Sequence, residues 1–137
     1  EIPLRLVGSE MCKETGPGVA KITVKAAATT DYKAASKTVT VTVAPKKQSI
    51  SLINKIKKQL TIKWKKNTKA SGYQVVYSTN KKFTGKKTVR KAKTTTSYKI
   101  KGLKKGKKYY VKVRSYKTVN GKRIYGAYST AKKATIK

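Results

Sequence analysis

Apolar side chains recur at every second position through much of this chain, with lysine or threonine between them. In residues 19–26 and 37–43, Ile22 and Val24, then Val39, Val41 and Val43, alternate in this way. A period of two sends successive side chains to opposite faces, so each segment predicts a strand with one wet face. Residues 27–36 are long enough for a hairpin connection, and Ile2, Leu4 and Leu6 hint at a third strand. Pro45 cannot donate to a sheet ladder, so it ends the run at Val43 and places a boundary in the linker 44–47. Three strands in residues 1–47 bury little area, and a unit of that size without disulfide or metal is marginal alone.

Residues 48–137 read as strands over 50–56, 60–65, 73–78, 88–92, 97–100, 109–116 and 125–135, with no sustained helical period. Leu60, Ile62 and Trp64 fall on one face and Thr61, Lys63 and Lys65 on the other. Tyr109, Val111 and Val113 oppose Tyr110, Lys112 and Arg114 in the same way. Asn120-Gly121 is a strong signal for a tight hairpin, because both residues tolerate positive φ. The fold class is therefore all-β, an antiparallel β-sandwich.

Two resemblances sharpen this reading. Trp64, Gly72-Tyr-Gln-Val-Val-Tyr77, Leu103-Lys-Lys-Gly-Lys-Lys-Tyr109 and Tyr109-Tyr-Val-Lys-Val-Arg114 together resemble a fibronectin type III module, an immunoglobulin-like sandwich, over residues 48–137. Tyr77-Ser-Thr-Asn-Lys-Lys-Phe83 and Tyr125-Gly-Ala-Tyr-Ser129 look like the lysine-rich version found in extracellular proteins of Gram-positive bacteria. Gly16-Pro-Gly-Val-Ala-Lys-Ile-Thr-Val24, Asp31-Tyr32 and the run 37–43 resemble the last strands of a bacterial immunoglobulin-like domain of group 2, a partial unit over residues 1–47. The resemblance implies a core of Trp64, Tyr73, Leu103, Tyr109, Val111 and Val113. Tyr109 would be the corner tyrosine, its hydroxyl tying the preceding loop near Leu103 or Gly106. Lys105 stands where the family often has Pro, and no Arg-Gly-Asp lies near Asn120, so the integrin-binding role of some animal members is not implied.

Composition narrows the chemistry. Of 137 residues, 36 are Lys or Arg and 4 are Asp or Glu, a formal charge of +32 with no His. The carboxylates are Glu1, Glu10, Glu14 and Asp31, so residues 32–137 carry none. Acid/base pairs, His-based triads and carboxylate metal sites are absent from that stretch, and the expectation is a protein that is not an enzyme, with no cofactor and no metal. Cys12 cannot close an internal disulfide; beside Lys13 a reactive thiol is conceivable, but an incidental residue is the better reading. A 37% hydrophobic content with nine Tyr argues for a folded chain over a solvated polycation. No apolar stretch is long enough to be a membrane-spanning segment. Residues 1–10 lack the basic-then-apolar order of a signal peptide, and a start at Glu1 suggests a processed chain or an excised piece.

Alternation places Lys63, Lys65, Lys99 and Lys101 on the outside of strands that neighbour one another in such a sandwich. Ammonium groups about 5 Å apart repel by roughly 0.8 kcal/mol in water and several times that nearer the protein. An anionic polymer would relieve the repulsion and release its own counterions. Tyr110, Lys112 and Arg114 on the opposite sheet form a second candidate surface, suited to an acidic sugar ring or a nucleobase. The plain alternative is that lysines keep a secreted β-protein soluble and discourage edge pairing. The leading expectation is a non-catalytic spacer or adhesion module at the bacterial cell surface or wall, or secreted. Its partners would be other domains of the parent chain and anionic polymers such as teichoic acid or acidic polysaccharide. The second expectation is a basic nucleic-acid-binding protein, although no helix-turn-helix, zinc-finger or RNP-type motif is visible.

Overall fold

Residues 16–137 are described by the structure, a computed structural model. Ile2, Leu4, Leu6, Cys12 and the three glutamates lie outside the described residues. Within them ten strands form three antiparallel sheets, and there is no helix.

Strands β1 (Gly18–Ala26) and β2 (Ala35–Val43) pair only with each other, as a ribbon. Register sets Ala20 opposite Val41 and Ile22 opposite Val39, so the apolar residues share one face while Thr23, Thr38, Lys21 and Thr40 share the other. Nothing among the described residues covers the apolar face: Ile22, Val24, Val39 and Val41 are 37% to 47% exposed. A two-stranded ribbon stabilises itself weakly.

The sandwich follows. Strands β3 (Ile50–Ile53), β4 (Leu60–Trp64) and β7 (Ser97–Ile100) form one sheet in the order β3-β4-β7. The other runs β10-β8-β5-β6, from β10 (Lys132–Thr135), β8 (Lys108–Val119), β5 (Gly72–Ser78) and β6 (Lys87–Ala92), with β9 (Lys122–Tyr125) also on β8. Inward positions fill the space between the sheets. Leu60, Ile62, Tyr73, Val75, Val111 and Val113 are all 0% exposed, and Trp64 packs on Tyr73 with ring centroids 5.4 Å apart. Leu103 is buried in the same cluster, and Tyr109 packs against it half-buried.

Two expectations are corrected. The first sandwich strand ends at Ile53, not at residue 56: Lys58 has φ 53°, and Ile56 is exposed. The segment 125–135 is not one strand. Its pairing to β8 breaks between Tyr125 and Lys132, where the linker crosses: a Cβ on Gly126 would run into the Pro45 carbonyl. The broken stretch still bonds to β8, with Gly126 N–H donating to Ser115 O at 2.9 Å and Ser129 N–H to Val113 O at 2.7 Å. At the other end Asn120 (φ 48°) and Gly121 (φ 74°) form the tight turn from β8 to β9.

The linker itself is docked. Pro45 and Gln48 are buried, and the Ser115 hydroxyl and the Gln48 amide both donate to Lys46 O, each at 3.2 Å. Gln48 Nε2 also reaches Ser115 Oγ at 3.3 Å. The ribbon therefore joins the sandwich through anchored backbone.

Candidate functional site

On the outer face of β3-β4-β7, Lys63, Lys65, Lys99 and Lys101 are all exposed. The strands β4 and β7 are neighbours, but their register puts Lys63 opposite Ser97 and Lys99 opposite Thr61. On the other side of β4, Ser51 faces Lys63. No lysine on this face stands directly across from another. Lys63 and Lys99 are diagonal, and Lys65 and Lys101 lie beyond opposite ends of the pair, so the cations form a slanting row instead of a compact square. Diagonal neighbours sit about 7–8 Å apart against about 5 Å for direct ones, which eases the repulsion. It also suits an extended anion lying along the row.

The outer face of the other sheet is built differently. Tyr110, Lys112 and Arg114 do share it, but all three are half-buried. The Arg114 guanidinium lies 3.8 Å from the Tyr125 ring centroid and 4.4 Å from that of Tyr128. Lys112 Nζ lies 4.1 Å from Phe83 and 4.4 Å from Tyr128. Tyr116 packs on Tyr125 at 5.7 Å, and Arg123 stands 5.7 Å over Tyr116. Rings and cations thus alternate in a ladder across the sheet, each cation–ring contact adding about 0.5–2 kcal/mol. Beneath it Gln74, Val76 and Ser78 face outward yet are buried. Arg114 Nε–H donates to Gln74 Oε1 at 2.7 Å, and the Tyr128 hydroxyl donates to the same oxygen at 3.1 Å.

Local turns place the ladder's ends. Ser78 Oγ donates to Thr84 O at 2.8 Å and accepts from Asn80 N–H at 3.0 Å, while Phe83 N–H donates to Asn80 O at 3.0 Å. This closes the β5–β6 connection and holds Phe83, at φ 60°, over Lys112. Burial first, then the charges of Lys86 and Arg114, push the Lys112 ammonium below its ordinary pKa. Burial pushes the Tyr77 hydroxyl up, helped by Tyr98 and Tyr109.

Tyr109 meets the loop that precedes it: Lys104 N–H donates to its hydroxyl at a long 3.5 Å. The neighbouring amides are used elsewhere, Leu103 N–H on Lys58 O at 3.0 Å and Gly106 N–H on Ile136 O at 2.8 Å. Among the described residues no group of His, Cys, Asp or Glu is placed to hold a metal, and no helix is long and apolar enough to cross a membrane. Sequence reasoning missed Phe83 and Tyr128 as partners of the β8 cations. Both come from irregular connections, where alternation assigns no face.

Two face-to-face antiparallel sheets, an indole at their centre and an exterior of cations define a β-sandwich module of the immunoglobulin-like class. Residues 43–131 match the fibronectin type III domain family model, and the chain belongs to that family. Members are typically non-catalytic structural or binding modules, and in many proteins they are extracellular. Among curated proteins, a "Kelch domain-containing protein" of Sulfurisphaera tokodaii is 36% identical over 85 residues, which is 62% of this chain and 11% of that protein. The chain thus corresponds to a small part of that relative. Among solved structures, a two-domain fibronectin type III segment of chicken tenascin aligns at TM-score 0.66 with 16% identity, over 87% of this chain and 65% of its own. The fibronectin type III domain of human collagen alpha-1(XX) chain aligns at TM-score 0.54 with 14% identity, over 65% of this chain and 82% of its own.

Proposed function

We propose that this chain is a non-catalytic module of an extracellular or cell-wall-associated bacterial protein, serving as spacer and adhesive unit with affinity for anionic polymers. Teichoic acid and acidic polysaccharide are the partners of the fitting chemistry. The sandwich is read as the lysine-rich kind of Gram-positive extracellular proteins, and the ribbon as the end of an immunoglobulin-like unit preceding it. One observation carries the polyanion reading: the exposed row Lys65, Lys63, Lys99, Lys101 sits on a sandwich that has no carboxylate side chain from residue 32 onward. The half-buried Tyr110, Lys112 and Arg114 are a secondary surface, since their sheet already pairs cations with rings.

The test is salt elution from a glycerol-phosphate polymer column. Each lysine that neutralises a phosphate adds about 0.7–0.9 to the slope of log affinity against log salt. Changing Lys63, Lys65, Lys99 and Lys101 to Gln is expected to flatten that slope by up to about 3. Elution identical to the parent would show that the charge acts diffusely and that this face is no site. A parent that passes straight through at low salt would remove the polyanion reading altogether.

A further inference from the structure

The linker and the β4–β5 turn meet at one end of the sandwich and enclose a cleft of about 530 Å³. Lys46, Lys47, Lys65, Lys66 and Lys69 all line it. Gln48, Asn67 and Thr68 line it between the lysines, and Pro17 and Val43 close it from the ribbon side. That volume lies within the ~300–1,000 Å³ of small-ligand sites.

The cleft's two sides are held before any ligand arrives. On one side Lys46 O accepts from Ser115 and Gln48, both buried, which fixes the backbone carrying Lys46 and Lys47. On the other, Asn67 N–H donates to the hydroxyl of fully buried Tyr73 at 2.6 Å, and Lys69 N–H donates to Asn67 Oδ1 at 3.1 Å. Asn67 O accepts from Ala70 N–H at 3.2 Å, closing the turn. Lys65 and Lys66 therefore leave a backbone tied to the core residue Tyr73 on one flank and to Trp64 on the other. The Trp64 backbone N–H donates in turn to Thr96 O at 2.9 Å. Preorganised cations lose less entropy on binding than a floppy lysine cluster does.

From this geometry we infer that the junction cleft is a discrete site for a linear phosphate anion, which on binding fastens the ribbon to the sandwich. The inference rests on the polyanion reading above and localises it. Lysine, not arginine, supplies every cation in the cleft. Ammonium groups act as point charges without a set direction, so several of them in one cleft suit a linear anion with charges spaced along it, as in a polyphosphate, better than a single planar group held by a guanidinium fork. The linker that carries Lys46 and Lys47 is already fixed to the sandwich, so the anion reaches the ribbon through Pro17 and Val43, which wall the same cleft. Ligand binding and ribbon orientation are then coupled.

The experiment uses the chain as it stands with inorganic tripolyphosphate, read by calorimetry and by ¹⁵N relaxation of ribbon amides at moderate salt. One-to-one binding is expected, with slowed internal motion of β1 and β2. Changing Lys46, Lys47, Lys65 and Lys66 to Gln is expected to weaken binding at least tenfold. Changing Lys104, Lys105, Lys107 and Lys108 to Gln, an equal loss of charge at the other end of the sandwich, is expected to weaken it less than twofold. Circular dichroism of both variants checks that each remains folded. Equal weakening in the two variants would overturn the discrete site while leaving general polyanion affinity standing. Binding of butane-1,2,3,4-tetracarboxylate as tight as that of tripolyphosphate would overturn the choice of phosphate. Unchanged ribbon relaxation on saturation would overturn the coupling. Failure to bind either tripolyphosphate or the glycerol-phosphate polymer would overturn this inference and the proposed function together.

Discussion

Trp64 offers a sharp test of how the sandwich is held together, because its ring and its N–H pull in opposite directions. The side chain is 6% exposed and packs on Tyr73, which is fully buried. An indole buried to this degree removes on the order of 150–250 Å² from water, worth roughly 4–6 kcal/mol as an upper bound. Trp64→Ala leaves a cavity that the rigid sheets cannot close, at a cost of about 3–5 kcal/mol. Yet Nε1 is buried without a hydrogen-bond partner. An unmade bond of that kind costs about 1–3 kcal/mol. Trp64→Phe gives up roughly 1 kcal/mol of ring area and releases that penalty, so it is expected to lie within about 1 kcal/mol of the parent. Urea unfolding followed by far-UV circular dichroism measures both, since the chain has one Trp and fluorescence is lost with it. The alanine variant's melting temperature should fall by upward of about 12 °C. An alanine variant as stable as the parent would refute the core role. A phenylalanine variant as damaged as the alanine one would refute the unpaired N–H.

Two further outcomes follow from particular contacts. Gly72 sits where a Cβ would meet Lys91 O at 2.7 Å and Tyr116 Oη at 2.5 Å. Gly72→Ala must therefore shift the β6 backbone, and a loss of more than about 2 kcal/mol is expected in urea titration; a neutral result would mean that β6 is loosely held. Lys112 releases its proton more readily folded than unfolded, so between its lowered value and the ordinary 10.5 the unfolded chain binds more protons and stability rises with pH. Tyr77 has the opposite sign: its contribution is present below the ordinary 10.0 and is lost above it. Lys112→Met keeps the stem and removes the charge, so its urea midpoint should climb less than the parent's from neutral pH to 10.5; parallel curves would show that Lys112 is not desolvated.

Alternation was enough to read the sandwich, because a core between two sheets is written directly into the period of its strands. Leu60, Ile62 and Trp64 face inward and Lys63 outward for that reason. Alternation could not show where a distant segment interferes. The break after Tyr125 comes from Pro45, eighty residues earlier in the chain, pressing its carbonyl against Gly126. The same limit hid the ladder, whose outer rings Phe83 and Tyr128 belong to connections without a period. It also hid the junction cleft. The pairs Lys46-Lys47 and Lys65-Lys66 are visible in the sequence, but only topology brings the linker beside the β4–β5 turn. A useful signal was present: both pairs border segments that end at the same edge of the sandwich.

A formal charge of +32 would work against folding if its members faced one another, and the structure shows how that is avoided. On β3-β4-β7 Lys63 faces Ser51 and Ser97, and Lys99 faces Thr61, across the ladder. On the opposite sheet Lys112, Arg114 and Arg123 lie against ring faces, whose quadrupoles take the place of missing carboxylates. Repulsion is thus diluted by register on one face and absorbed by aromatic rings on the other. At the junction, lysines from two segments, Lys46 and Lys47 on the linker and Lys65 and Lys66 on the β4–β5 turn, line one cleft. An anion lodged there relieves repulsion among those four cations at once, so changing them to Gln weakens binding more than an equal loss of charge elsewhere on the sandwich.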